Sequence, residues 1–440
     1  MRLRLNPENF QMLKELLYEE WEKCKAKVSQ LAGKEINVGS PKQVQSLLYN
    51  DLGLRAKLKR GSNSSTSDEN ALRELRVQYP QHKELLNALI QERHIKKKIE
   101  SYIEFECDED GYIPYSANPA GTETNRWSFS KSPRGRGLNV QTLPKVMRLL
   151  CDAPQGRVFI CPDLPQADAR IVAWDAQCER LIKLFLDPSI HFHLENCLRL
   201  AQAPGSPFAG LTREIVYGAT FKSEDPRYVT GKAMGHAANY RMAAKRLAME
   251  LGIAPKDAQR LLDIYLHQLY PEIERWQLGL KDRIKRGGSL VSPAPFKRQR
   301  VFYQAWGELM LQGKISTTSW NEACAWIPQS AVADIVNVGM EKLWLSEPEV
   351  RFHKHDHDSY LASCPSSMVG RICTTALDAL RVTLTLHDRP LTMVPEMQVG
   401  TNYGQLVEWK GEETLRDLQP RLDAKMLDWE KVRKDLYGYY

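Results

Sequence analysis

A chain of 440 residues with 42% hydrophobic and 26% charged residues can bury a sizeable core in about two to four structural units, which excludes wholesale disorder. No apolar run approaches the roughly 18–20 residues needed to span a bilayer, and the N-terminus has no signal-peptide apolar segment. The net charge of +7 is modest, but basic residues cluster in "LRAKLKR" (54–60), "RHIKKK" (93–98), "KSPRGR" (131–136) and "FKRQR" (296–300), which favours a polyanionic partner, nucleic acid ahead of membrane.

Residues 6–32 predict a helix: Asn6 can cap it, Pro7 suits its first position, and apolar residues recur at helical spacing. "KRGSNSSTSDEN" (59–70) is a loop by composition, and 81–105 is a second long helix. Two long helices with a basic tip between them make an arm. From 110 to 128 the texture changes to short strands and turns. "RVFICPDL" (157–164) predicts an apolar strand ending on an acid, followed by helix over 166–186 and further helices to about 285. One of these is the amphipathic stretch 228–253. Residues 319–346 predict a helix, 350–364 a strand–turn–strand, 366–386 a helix, and 393–410 strand and edge. With no repeat and no long linker, the reading is an α+β core carrying two helical appendages. Nine cysteines, an odd number without a CxxC pair, read as reduced thiols of a soluble, cytoplasmic protein.

"RFHKHDHDSYLASCP" (351–365) concentrates histidines and acids. On a strand, Asp356 and Asp358 would share one face, and His353, His355 and His357 the other. That leaves three readings open: a zinc site, a plain surface hairpin, or one carboxylate of a pair completed by Asp163. Two acids on neighbouring strands can hold two Mg²⁺ ions about 3.5–4 Å apart, with substrate phosphates and water completing the oxygen shell. Between the two acids, Lys232, His236 and Tyr240 recur every four residues, with Arg227 just upstream. The stripe reads either as ordinary, partly buried residues or as contacts to a triphosphate, a sugar and a base.

Taken together these stretches resemble the family A DNA polymerases, the DNA polymerase I-like group. "DLPQADARIVA" (163–173) is similar to the family's DYSQIELRILA, with Asp163, Gln166 and Arg170 matching. Arg227, Lys232, His236 and Tyr240 resemble its R…K…F/Y…YG motif, and His357-Asp358-Ser359 its VHDE. "TETNRWSFSKSPRGRGLNVQTLP" (122–144) resembles TGRLSS…NLQNIP, aligning Arg126, Asn139, Gln141 and Pro144. "SIHFH" (189–193) resembles DIH, and "PQSAVADI" (328–335) resembles PMQGTAADI at Gln329. The thumb phrase matches at "SPKQVQSLLYNDLGL" (40–54), so the resemblance covers essentially the whole chain.

The resemblance implies a right-hand fold with an antiparallel-sheet palm, helical fingers and a helical thumb. The expected divisions are thumb 1–109, palm 110–205 and 319–440, and fingers 206–318. The implied reaction is template-directed addition of deoxynucleotides to a primer 3′-hydroxyl. Asp163, Asp358 and the Leu164 carbonyl would hold two Mg²⁺ ions, for which Mn²⁺ could substitute. Lys232, Arg227 and His191 would bind triphosphate, and Gln166, Asp168, His236 and Tyr240 would complete the nucleotide site. Arg126, Asn139, Gln141, Arg170, Gln329 and His357 would contact DNA. Expected partners are primer-template DNA and dNTPs, with a processivity factor, helicase or primase as further candidates. A monomer acting in the cytoplasm, at the nucleoid or inside a virus's host, is the implied setting.

Several departures stand out. Asp168 replaces a glutamate that excludes ribonucleotides, His236 replaces an aromatic residue, and Arg227 lies five rather than four residues before Lys232. Ser359 replaces a third acid, as in single-subunit phage-type RNA polymerases. Such an RNA polymerase or a primase-like enzyme with relaxed sugar selectivity is therefore the alternative. A silent nucleic-acid binder and a two-metal nuclease, with Asp356 as an extra acid, are more distant. Thumb-like sequence begins near Met1, so a minimal polymerase without an exonuclease domain, or a fragment, is expected, with a viral or mobile-element origin suiting the divergence.

Overall fold

Strand β1 (Leu3–Leu5) leads into helix α1 (Pro7–Ala32) in the computed structural model, which describes residues 1–59, 61–203, 206, 208–425 and 428–437. Arg60, the end of the first basic run, lies outside the described residues. Asn6 caps α1 by accepting from the Asn9 N–H, and Gly33 ends it in the left-handed region at φ 69°. Helices α2 (Glu69–Gln78) and α3 (Lys83–Tyr102) complete the arm, α3 lying along α1. The 59–70 loop is shorter than expected, because Lys57–Leu58 pairs with Ser65–Thr66 as a small hairpin before α2 starts. Val28, Leu47, Leu72, Leu86 and Leu89 form a core of the arm's own.

The central strand is β2 (Arg157–Asp163), followed by α4 (Ala167–Asp175). A helical block comes next, containing α5 (Phe192–Gln202), α6 (Pro226–Asn239) and α7 (Ala244–Leu251). Helix α8 (Thr317–Ser346) returns the chain to the sheet. Then come β3 (Arg351–His355), β4 (Tyr360–Pro365), α9 (Val369–Leu380), the hairpin β5 (Thr383–Leu386) and β6 (Arg389–Thr392), β7 (Glu396–Gly400) and β8 (Val407–Glu408). The sheet order is β3-β4-β2-β7-β8, antiparallel throughout.

Strand β2 is apolar along its length because both its faces are covered. Val158 and Ile160 join the core that includes α8 and α9, while Phe159 faces the opposite cluster with Leu149, Leu361 and Tyr403. Two expectations change. The 228–253 stretch is not one helix, since α6 stops at Asn239 and α7 starts at Ala244. The 366–386 helix ends at Leu380, and Thr383–Leu386 is strand.

Arm and helical block also touch. Lys245 of α7 lies 2.8 Å from Glu74 of α2, at the edge of a cavity of about 840 Å³ between the two elements. Among the described residues no helix is long and apolar enough to cross a membrane.

Candidate active site

Strand β2 delivers Asp163 to its end because Pro165 has no N–H to continue the ladder and biases Leu164 toward extended backbone. Gln166 then adopts φ 58°, a costly left-handed turn for a side-chain-bearing residue, and α4 begins. On the neighbouring strand the chain leaves β3 at His355, and the Asp356 N–H donates to the Ser359 carbonyl at 2.8 Å. Asp163 is bridged to Ser359, and the Leu164 N–H donates to the Asp358 carbonyl at 2.9 Å. The two acids therefore meet where their strands end.

Both carboxyls are pushed above the usual carboxylate range. For Asp163 the largest cause is burial, followed by the negative charges of Asp358 and of Glu396, its partner on β7. For Asp358 it is burial, followed by the charge of Asp168. Arg148 and Arg126 offset only part of this. The Leu164 carbonyl accepts from the Ala167 N–H at 3.3 Å, a long bond that leaves a lone pair available. Hard oxygens with excess negative charge fit a divalent cation of the Mg²⁺ kind.

The histidines do not form a zinc site. His353 places one ring nitrogen 2.6 Å from the Arg2 carbonyl and the other 2.8 Å from Ser363 Oγ. His355 is stacked on Trp127, their rings 3° from parallel, and His357 stands on the turn. Strand alternation fails as a guide here because a bulge lies between Phe352 and Lys354 and the strand stops at His355. Among the described residues no three His, Cys, Asp or Glu side chains converge to hold a metal. Asp356 is also committed elsewhere. Lys354, 0% exposed, sits 2.8 Å from its Oδ2, and the Tyr403 O–H donates to the same oxygen at 3.3 Å.

On the other side of the acids, Tyr240 is the C-cap of α6 rather than part of the helix. Its O–H donates to Asp168 Oδ2 at 2.8 Å, and Arg126 lies 3.6 Å from that oxygen. The His236 ring meets Tyr240 edge-on with centroids 4.7 Å apart. Lys232 is exposed on α6, and its charge reaches His191 at the start of α5. The Arg126 charge, after burial, lowers the proton affinity of His357. Gln329 is half-buried on α8 beside Pro328. The turn at Gln166 makes no side-chain cap bond to α4.

Four further candidates find partners within the protein. Arg227 is paired with Asp225. Arg170 donates to the carbonyls of Pro165 and Phe185, at 3.3 and 3.2 Å. Asn139 caps a short turn by accepting from the Gln141 N–H at 3.0 Å, and Gln141 donates to the Trp127 carbonyl at 2.9 Å. In this structure these last three side chains brace the backbone instead of offering free contacts to DNA. Sequence reasoning missed Glu396 and Arg148, whose charges act on Asp163, Lys222, whose charge acts on His191, and Tyr403, which donates to Asp356. Glu396 had a signal, as the outward-facing first residue of an alternating strand. The others had none beyond their type.

Comparison with known proteins follows this geometry. A model of the family described as DNA polymerase family A matches residues 7–405. DNA polymerase I of Pseudomonas aeruginosa is 26% identical over 384 residues, which is 85% of this chain and 39% of that protein. The thermostable DNA polymerase I of Thermus aquaticus is 26% identical over 393 residues, 87% of this chain and 43% of that protein. The chain thus spans about two fifths of the length of these relatives. Among solved structures, the polymerase domain of Pol1 from M. smegmatis, in complex with DNA primer-template and dNTP, superposes with a TM-score of 0.72 at 19% identity. That match covers 92% of this chain and 67% of the other, and shows a shared fold.

Proposed function

The chain belongs to DNA polymerase family A, and from that premise we propose that it extends a primer 3′-hydroxyl along a template by adding deoxynucleotides. The observation that carries this reading is the meeting of Asp163 and Asp358 beside the Tyr240–Asp168 contact and the lysine-bearing helix α6. Relatives named DNA polymerase I and a fold neighbour holding primer-template and dNTP support it. In this reading 1–109 act as thumb, 110–205 and 319–440 as palm, and 206–318 as fingers.

Asp163, Asp358 and the Leu164 carbonyl would hold two Mg²⁺ ions, or Mn²⁺ in their place. When bound, the ions supply charge neutralisation at the reacting phosphate and a more acidic primer hydroxyl. The protein's own groups do the positioning. Lys232 balances triphosphate charge, with His191 beside it. The Tyr240–Asp168 bond fixes the end of α6 against α4, so the Tyr240 and His236 rings present a fixed surface to the new base pair and Gln166 lies at its edge. Arg126, His357 and Gln329 line the primer side, where minor-groove acceptors common to all base pairs report shape without reading sequence. Closure over a correct pair would commit the substrate. The enzyme would act as a monomer where DNA is held, at the nucleoid or in a host cytoplasm. A processivity factor, helicase or primase would join it there.

Asp168 also favours the second reading, an enzyme with relaxed sugar selectivity. It is one methylene shorter than glutamate and is drawn to Tyr240, which leaves room at the ribose 2′ position. A primed DNA template with Mg²⁺ and either dNTPs or rNTPs tests both readings. Wild type should extend the primer with dNTPs preferred, Asp163→Asn should abolish extension, and Asp168→Glu should raise the dNTP preference about tenfold. Primer shortening, or unprimed synthesis from rNTPs, would overturn the DNA polymerase reading.

A further inference from the structure

One of the two cations that the motif supplies for the phosphates, Arg227, is paired within the protein. Arg227 Nε lies 2.9 and 3.1 Å from the Asp225 carboxylate oxygens, and a terminal guanidinium nitrogen lies 2.5 Å from Oδ2. The same carboxylate caps α6 by accepting from the Arg227 N–H at 2.9 Å. Asp225 thus neutralises Arg227 and anchors it at the helix start. One full helical turn before Lys232 stands Tyr228, which carries no charge.

The Tyr228 ring belongs to a row of rings. Phe221 meets it edge-on at 6.3 Å, His191 lies 6.5 Å away, and His193 lies 5.9 Å beyond His191. Lys222 follows Phe221 directly, at the end of the row that reaches His191 through the Tyr228 ring. Its charge acts on both rings together with that of Lys232, adding to burial in keeping them neutral. Both lysines are exposed. The Nδ1 atoms of His191 and His193 are buried without a hydrogen-bond partner among the described residues, and α5 starts there with no side-chain cap. Among the described residues neither ammonium has a carboxylate partner, and their charges act on the same two rings with unmet nitrogens beside an uncapped helix start, an arrangement suited to a polyanion.

We propose that Lys222, not Arg227, supplies the second positive contact to the β- and γ-phosphates of the incoming nucleotide, together with Lys232. This rests on the polymerase reading and adds to it which side chain grips the triphosphate. Lysine suits the task because a point charge on a flexible stem needs no fixed fork geometry.

The test measures matched-dNTP affinity on a dideoxy-terminated primer–template with Mg²⁺, and KM and kcat on an extendable one. The variants are Lys222→Ala, Lys222→Arg and Arg227→Ala. Loss of a charge-assisted contact predicts about tenfold weaker dNTP binding and a matching rise in KM for Lys222→Ala. The loss should be equal for all four dNTPs, with primer–template affinity unchanged. Lys222→Arg should recover most of it, and Arg227→Ala should shift KM less than about threefold. Wild-type dNTP affinity in Lys222→Ala, or a larger loss in Arg227→Ala, overturns the assignment while leaving polymerase activity standing. A wild type that neither extends a primer nor binds a matched dNTP overturns both.

Discussion

Arg157, Ser363, His353 and Arg2 form a directed chain of hydrogen bonds that explains how a buried histidine is tolerated on β3. Arg157 Nε–H donates to Ser363 Oγ at 3.0 Å, the Ser363 hydroxyl donates to His353 Nε2, and His353 Nδ1–H donates to the Arg2 carbonyl. The Ser363-to-Nε2 link requires a neutral ring, because Nε2 must accept there. Burial pushes the His353 pKa down from 6.5 to about 4. Because the folded value lies below the unfolded one, the contribution to stability is full above pH 6.5 and is lost as pH falls toward and through 4. The unfolding free energy from urea titration should therefore fall between pH 6.5 and 4, by up to about 3 kcal/mol from this group, and His353→Gln should flatten that part of the profile. An unchanged profile in the variant would show that other groups set it. At this scale the meeting of Asp163 and Asp358 was legible, because strand ends fix their backbone positions. The internal bonds of Arg170, Asn139 and Gln141 were not, because a side chain that matches a motif still bonds the nearest unmet carbonyl or N–H.

At the scale of elements, α6 lies close against α5 because of Gly231. A Cβ there would come 2.3 Å from Cys197 Sγ, well inside contact distance. Gly231→Ala should cost about 1–3 kcal/mol from overpacking, partly offset by about 1 kcal/mol of helix propensity. Since α6 carries Lys232, the dNTP KM should rise together with the fall in melting temperature. A fall in melting temperature alone would separate packing from nucleotide binding. The long helices were legible from apolar spacing and caps, α1 starting at Pro7 as Asn6 indicates. The break after α6 was hidden because no glycine marks it. Arg241 takes φ 57° and lies 3.1 Å above the Trp320 ring, a tertiary contact that local sequence does not announce. The β5–β6 hairpin was hidden for a related reason. His387 and Asp388 both hold left-handed backbone at its tip, and His387 Nε2 bonds Asp175 at 3.0 Å.

At the scale of the molecule, the arm roots its base in the cluster beneath the sheet, where Leu13 and Ile95 join Phe159 and Leu361. The helical block shares the other core with Val158 and Ile160. Arm and block meet again through Glu74 and Lys245, the lysine side chain 69% exposed. An ion pair this open is worth about 0–1 kcal/mol and weakens with salt. Glu74→Lys, or added salt, should increase the distance between fluorophores on the 61–64 turn and on α7 while moving the melting temperature by no more than about 2 °C. A distance insensitive to both would mean that packing, not charge, joins the two elements. None of this was legible in the sequence, because a contact between residues 74 and 245 depends on how two appendages lean.

The same contact has a topological consequence. Sheet, arm and block make a closed circuit whose arm–block junction holds the Glu74–Lys245 pair at the edge of a cavity. If the chain holds DNA as proposed above, a circuit closed by a surface contact would not oblige a strand to be threaded by its end. Covalently closed circles and linear molecules alike would then be admitted from the side.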